Sequence, residues 1–208
     1  TMGISVKGSD SAIGFFGTGL KYALAVLLRE KADVIIYSSD FTAKVIGDTI
    51  TVRGKEFTTV NLEVTKGDTI SKIELGITTH LGANWTLSEA FRELYSNTLD
   101  EKGSAWSYLE GKSQSYDTVI SVSLEEFHDV YKAKDDIFPD FSSKQLLYQD
   151  DRVQVFKHFS DNLYYKGVKV YTTGGSHFTY NYLLGLNLTE DRTLSSVWLA
   201  EYVTSKLL

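Results

Sequence analysis

The stretch from residue 44 to residue 79 sets the strongest limit on the fold. Four segments rich in β-branched residues, Lys44 to Ile46, Thr49 to Arg53, Glu56 to Val64 and Ile70 to Thr79, are separated by Gly47-Asp48, Gly54-Lys55 and Lys66-Gly67-Asp68. β-Branched side chains suit a pleated surface, and glycine beside a polar residue reverses the chain in a few residues, so this pattern predicts an antiparallel meander. A meander alone leaves an apolar face bare. Predicted helices over 18–31 and 87–101 flank it and can cover that face, which gives a two-layer α+β sandwich.

The second helix has a legible start. Thr86 followed by Glu89 has capping-box spacing, and Leu87, Phe91, Leu94 and Thr98 form a stripe suited to packing on a sheet. In Phe91-Arg92-Glu93-Leu94-Tyr95-Ser96-Asn97-Thr98-Leu99-Asp100, spacings of four and seven place Glu93, Asn97 and Asp100 on one face. A carboxylate, an amide and a second carboxylate in a row can hold a metal and a water. The same pattern also describes the solvated face of an ordinary amphipathic helix.

The first helix opens on Ala12-Ile13-Gly14-Phe15-Phe16-Gly17-Thr18-Gly19-Leu20-Lys21-Tyr22-Ala23, and the apolar run Leu24 to Leu28 follows. Glycine lets a backbone approach a ligand closely, and the unpaired N–H groups of a helix start favour phosphate, to which Lys21 can add a point charge. The run lacks the glycine-lysine-serine/threonine ending of a Walker A loop and follows no long strand as a dinucleotide fingerprint does. Taken alone, it can equally be a glycine turn that packs a helix closely.

Taken together, the two segments resemble the GHKL ATPases, a family that includes gyrase, the heat-shock chaperone of ninety kilodaltons, histidine kinases, MutL and the MORC proteins. Arg92-Glu93-Leu94-Tyr95-Ser96-Asn97-Thr98-Leu99-Asp100 looks like that family's N box, and Ile13-Gly14-Phe15-Phe16-Gly17-Thr18-Gly19-Leu20-Lys21 looks like its second glycine box. Ala32 to Ser38 supplies the strand expected after the glycine-box helix. The resemblance implies the Bergerat α/β sandwich. It also implies a circular permutation, since the glycine box here precedes the N box. New termini are tolerated at exposed loops, and the family's nucleotide lid is such a loop. Gly76 to Leu81 then becomes the family's closing strand, joined through Gly82 to Trp85 onto the N-box helix.

By this resemblance the nucleotide-binding residues are Gly14, Gly17, Thr18, Gly19, Leu20, Lys21, Asn97 and Asp100. Asn97 orients magnesium, and Glu93 is the catalytic residue that polarises the attacking water. The implied cofactor is Mg2+ with ATP or another nucleotide, and the implied activity is slow hydrolysis through positioning and electrostatics. One departure bears on the base. The family's adenine-reading Asp-x-Gly-x-Gly is missing, and the corresponding strand, Thr118 to Val122, runs into Ser123-Leu124-Glu125-Glu126-Phe127, a capping-box pattern for another helix. Asp117, Glu125 or a later residue can substitute, or the pocket takes another base or none. The rival function is therefore a non-catalytic interaction or inhibitor protein, encoded by a phage or mobile element, that reuses the fold to bind a host protein.

A chain of 208 residues that is 42% hydrophobic supports one substantial core, so a single domain over 1–208 is expected, with the permuted core over 1–123 and further α/β elements over 124–208. In that last third, 124–133 and 142–149 read as short helices. Arg152 to Lys157, Val168 to Thr172 and Phe178 to Leu188 read as strands, and a closing helix is capped by Thr189 or Asp191. Its many aromatics, Tyr148, Phe156, Phe159, Tyr164, Tyr165, Tyr171, Phe178, Tyr180, Tyr182, Trp198 and Tyr202, suit a β-rich core or a protein-binding surface.

There is no cysteine, which excludes a disulfide framework and thiolate chemistry, and the histidines at 80, 128, 158 and 177 lack ligand spacing. A net charge of −6 without a basic cluster argues against a nucleic-acid partner. No apolar run is long enough to cross a bilayer and no leader pattern opens the chain, so a cytoplasmic protein is expected, in the host cytoplasm if phage-encoded.

Overall fold

The computed structural model describes residues 17–107, 117–183, 186, 188, 189, 193 and 194. The fold is α+β, with two mostly antiparallel sheets and a few helices. The chain divides into two compact units, Thr1–Tyr131 and Lys132–Leu208.

The first unit begins with α1 (Thr18–Arg29), followed by β1 (Asp33–Ser38), β2 (Thr42–Val52), β3 (Lys55–Lys66) and β4 (Thr69–Thr78), then α2 (Leu87–Asp100), β5 (Thr118–Ser123) and α3 (Glu125–Lys132). The strands form one sheet in the order β4-β3-β2-β1-β5, all neighbours antiparallel. The expected meander is present, with one correction. Gly47-Asp48 is not a turn; β2 runs through it, paired with β3 from Thr42↔Thr65 to Val52↔Lys55. Glycine serves there as a gap, because a β-carbon at Gly47 would sit 2.7 Å from Thr58 Cγ2 and 3.3 Å from Leu28 Cδ2 on α1.

Helix α1 touches all of β1 to β4 and also α2. Ala23, Leu24, Ala25, Val26 and Leu27 are consequently buried in succession rather than on one stripe. Val34, Ile36, Ala43, Val45, Val60, Leu62, Val64 and Leu75 supply the sheet side of this core. Both long helices stop in the same way. After α1, Ala32 N–H donates to Leu27 O and Lys31 N–H to Leu28 O, with Lys31 at φ 64°. After α2, Gly103 N–H donates to Thr98 O and Lys102 N–H to Leu99 O, with Lys102 at φ 57°. These are Schellman endings with lysine in the left-handed position.

The second unit holds α4 (Lys134–Ile137), a 3-10 turn at Phe141–Ser143, and β6 (Leu146–Gln149), β7 (Val153–Phe156), β8 (Ser160–Tyr165), β9 (Val168–Ser176) and β10 (Thr179–Tyr182). Its sheet runs β6-β7-β10-β8-β9, with only β10 and β8 parallel. Val153, Leu163, Val170, Tyr180, Tyr182, Leu186 and Leu194 form its core.

This unit corrects the sequence reading in several places. The helix expected over 142–149 is the 3-10 turn followed by β6, which pairs with β7. Strand β8 is additional; the chain reverses at Lys166 and Gly167, both at positive φ, to join β8 to β9. Of the strand expected over Phe178 to Leu188, Thr179–Tyr182 form β10 and Leu183 and Leu186 are not in a strand, while residues 184, 185 and 187 lie outside the described residues. Thr189 N–H donates to Thr193 O at 2.8 Å and Leu188 bridges Leu194, so Thr193 and Leu194 are not helical, and the rest of the expected closing helix lies outside the described residues. Asp191, Trp198 and Tyr202 lie outside the described residues.

Candidate functional site

Helix α1 starts at Gly17, whose backbone (φ −57°, ψ 164°) is not helical and which, lacking a side chain, caps none of the first-turn N–H groups itself. Gly17 and Thr18 are exposed, and Gly19, Leu20 and Lys21 are half-buried. Gly14 lies outside the described residues. The start of α1 lies directly on α2. A β-carbon at Gly19 would fall inside the contact radius of Glu93 Oε1 and 2.9 Å from Oε2, so only glycine leaves room for the carboxylate.

Helix α2 is held from its first residue. Thr86 N–H donates to Glu89 Oε2 at 2.7 Å and Ser88 N–H to Thr86 Oγ1 at 3.2 Å, as the sequence predicts. The loop before it is tied to α1. The Arg29 guanidinium donates to Thr79 O at 3.2 Å, Gly82 O at 3.2 Å and Trp85 O at 2.6 Å. The Tyr22 and Trp85 rings lie 5.0 Å apart, and Gly82, at φ 64°, has no space for a β-carbon beside Tyr22 Cδ1. These contacts fix where α2 starts and therefore which of its turns faces Gly19.

The buried face of α2 differs from the expected stripe. Ala90, Phe91, Arg92, Glu93 and Ser96 are buried, whereas Leu87, Leu94 and Thr98 are half-buried and Leu99 is exposed. Phe91 packs edge-on to Phe127 and Tyr131 of α3, 5.8 and 6.4 Å away, and stacks on Tyr95. Glu93, which the helix pattern alone also allowed on a solvated face, is only 9% exposed. A buried carboxylate is expensive unless it is hydrogen-bonded, and Asn97 Nδ2 donates to Glu93 Oε1 at 3.2 Å. Ser96 is 6% exposed, and its Oγ has no hydrogen-bond partner.

The structure thus brings Gly19, Glu93 and Asn97 together, and it sets two expected residues apart. Asp100 is exposed at the last position of α2 and makes no side-chain hydrogen bond or ion pair among the described residues. Lys21 Nζ reaches Leu75 O at 3.4 Å, next to the β4 bulge where Gly76 sits at φ 68°. Asp117 and Glu125 are both exposed, at the edges of β5 and α3.

Magnesium fits this site in one respect. Because Asn97 gives its nitrogen to Glu93, Oδ1 is the amide atom left over, and oxygen is what a hard cation takes. Among the described residues no group of three His, Cys, Asp or Glu side chains could hold a metal, so any cation would draw most of its ligands from phosphate and water. Among the described residues no helix is long and apolar enough to cross a membrane.

Arg29, Tyr22, Gly82 and Ser96 were not singled out by the sequence. The first three act through contacts some fifty or more residues away, which no local pattern carries. The aromatics divide as a β-rich core would have them: Tyr164, Tyr180 and Tyr182 are buried, while Tyr148 and Phe159 are exposed. No protein-family model matches the chain, and neither does a curated protein or a solved structure.

Proposed function

We propose that the Thr1–Tyr131 unit is a circularly permuted nucleotide-binding module of GHKL (Bergerat) type that takes ATP with magnesium and hydrolyses it slowly. One observation carries the reading. The glycine box and the N box, separated by some seventy residues of sequence, meet at Gly19 and Glu93. The permutation is supported by the β4 to α2 connection, a short loop that Arg29 and Tyr22 seal onto α1.

In this reading the first-turn amides of Thr18, Gly19 and Leu20 receive phosphate oxygens at the positive end of α1. Asn97 Oδ1 holds the cation, which when bound neutralises charge on the phosphates. Glu93 is held in place by Asn97 and by the lack of a side chain on Gly19, so that it orients and polarises a water without covalent chemistry. An ammonium carries three donors, so Lys21 Nζ can add a phosphate oxygen to its contact with Leu75 O or exchange one for the other. That 3.4 Å contact is long enough to give up readily.

A second reading, a non-catalytic protein that keeps the fold to bind a host protein, draws on the second unit. Leu146, Leu147 and Tyr148 are all exposed on β6, an edge strand. Calorimetric titration with ATP, ADP and a non-hydrolysable ATP analogue, with and without magnesium, separates the two. Magnesium-dependent binding that is lost in Asn97→Ala is the expected result; no binding of any nucleotide would overturn the first reading in favour of the second.

A further inference from the structure

Ser96 is the one buried side-chain oxygen or nitrogen without a hydrogen-bond partner among the described residues. A buried serine inside a helix can bond back to the carbonyl four residues earlier, here Arg92 O, and Ser96 makes no such bond. Leaving a buried hydroxyl unpaired costs folding free energy, so such a group in a native core calls for a reason. Its position offers one. Ser96 follows Glu93 by three residues, so the two side chains are neighbours on the surface of α2, and Glu93 lies against the start of α1.

We propose that Ser96 is a further ligand-binding residue, its hydroxyl reserved for a phosphate oxygen of the bound nucleotide. This rests on the nucleotide-binding reading above and deepens it. The hydroxyl can donate to an anionic oxygen, and a donor already desolvated in the empty protein loses no water when it binds. The orphan state is then a property of the free form, and the missing partner arrives with the ligand.

The test measures affinity and free-protein stability together in the full chain. Wild type, Ser96→Ala and Ser96→Cys are titrated with the non-hydrolysable ATP analogue and magnesium, and each is melted without nucleotide. The expected result is that Ser96→Ala binds about tenfold or more weakly, with the free variant melting at or above wild type, because alanine removes the orphan and favours helix. Ser96→Cys, a near-isostere with a weak donor, should bind as poorly as the alanine variant. Unchanged affinity in Ser96→Ala would overturn the assignment while leaving the nucleotide site standing. A free Ser96→Ala that melts below wild type would also overturn it, by showing that the hydroxyl is already paired in the empty protein. Failure of wild type itself to bind would remove both this assignment and the reading beneath it.

Discussion

Gly19 is a glycine because Glu93 lies against it: a β-carbon on the first would occupy the space of the second's carboxylate. The relationship is mutual, since the buried carboxylate has that space only while residue 19 carries no side chain. Gly19→Ala therefore sets two effects against each other. Alanine favours helix over glycine by about 1 kcal/mol, whereas crowding a packed site costs about 1–3 kcal/mol. Gly19→Ala should be neutral or destabilising in wild type and stabilising in a Glu93→Ala background. Urea unfolding of the four proteins in a double-mutant cycle measures that sign change; equal effects in both backgrounds would mean that the two residues do not constrain each other.

Glu93→Ala separates catalysis from binding. If Glu93 polarises water, hydrolysis should fall by about a hundredfold or more, while the affinity for the non-hydrolysable analogue stays within a few fold of wild type. Steady-state phosphate release and calorimetry check the two halves. Loss of both, or of neither, would assign this buried carboxylate a different role.

The sequence made some of these features legible and hid others for physical reasons. The turns expected at Gly54-Lys55 and Lys66-Gly67-Asp68 fall within a residue of those places, at Arg53-Gly54 and Gly67-Asp68, because positive φ selects glycine and its polar neighbours. The cap at Thr86 and Glu89 could be read because all of its partners lie within one turn. Gly47 was misread because a glycine that admits Leu28 of a distant helix looks locally like a glycine that turns the chain. The burial of Glu93 was hidden for a related reason. Polarity places a carboxylate outside, and only the packing of α1 on α2 reverses that. In the second unit, Ser160-Asp161-Asn162 lacks strand formers, yet tertiary pairing with β9 makes it the start of β8.

Arg29 bonds three carbonyls of the loop that leads into α2. Removing the guanidinium leaves three half-buried acceptors without their cation. Arg29→Ala should destabilise the protein by about 2–3 kcal/mol, and Arg29→Lys should recover only part of this because an ammonium lacks the planar fork. Because the same loop positions α2, nucleotide affinity should fall along with stability. Full affinity in a destabilised Arg29→Ala would show that the loop does not set the geometry of the site.

Acid should weaken the sheet through Asp48. The Lys72 ammonium beside it holds its carboxyl below the ordinary value, and a hydrogen bond from Asn61 Nδ2 at 2.5 Å adds to this. A group depressed in the folded state contributes stability that is fully present above its unfolded pKa and is lost as pH falls through the lower folded value. Melting temperature in wild type should therefore drop as pH falls below the ordinary carboxylate range. Asp48→Asn should melt lower at neutral pH and show a shallower drop, and parallel curves for the two proteins would assign the acid sensitivity elsewhere.

The two Schellman endings offer a gain in stability. Lys31 and Lys102 occupy left-handed positions, at φ 64° and 57°, where a β-carbon is strained and glycine is not. Neither position is helical, so glycine incurs no loss of helix propensity there, and its greater freedom in the unfolded chain offsets only part of the relief. Lys31→Gly and Lys102→Gly should each stabilise the protein by up to about 1 kcal/mol, additively because the two helix ends share no partner. Lys102→Gly carries the sharper test, since it lies two residues beyond Asp100 and outside the Gly19, Glu93 and Asn97 cluster. Its melting temperature should rise while nucleotide affinity and phosphate release stay at wild-type values, and a loss of either would bring the end of α2 into the site.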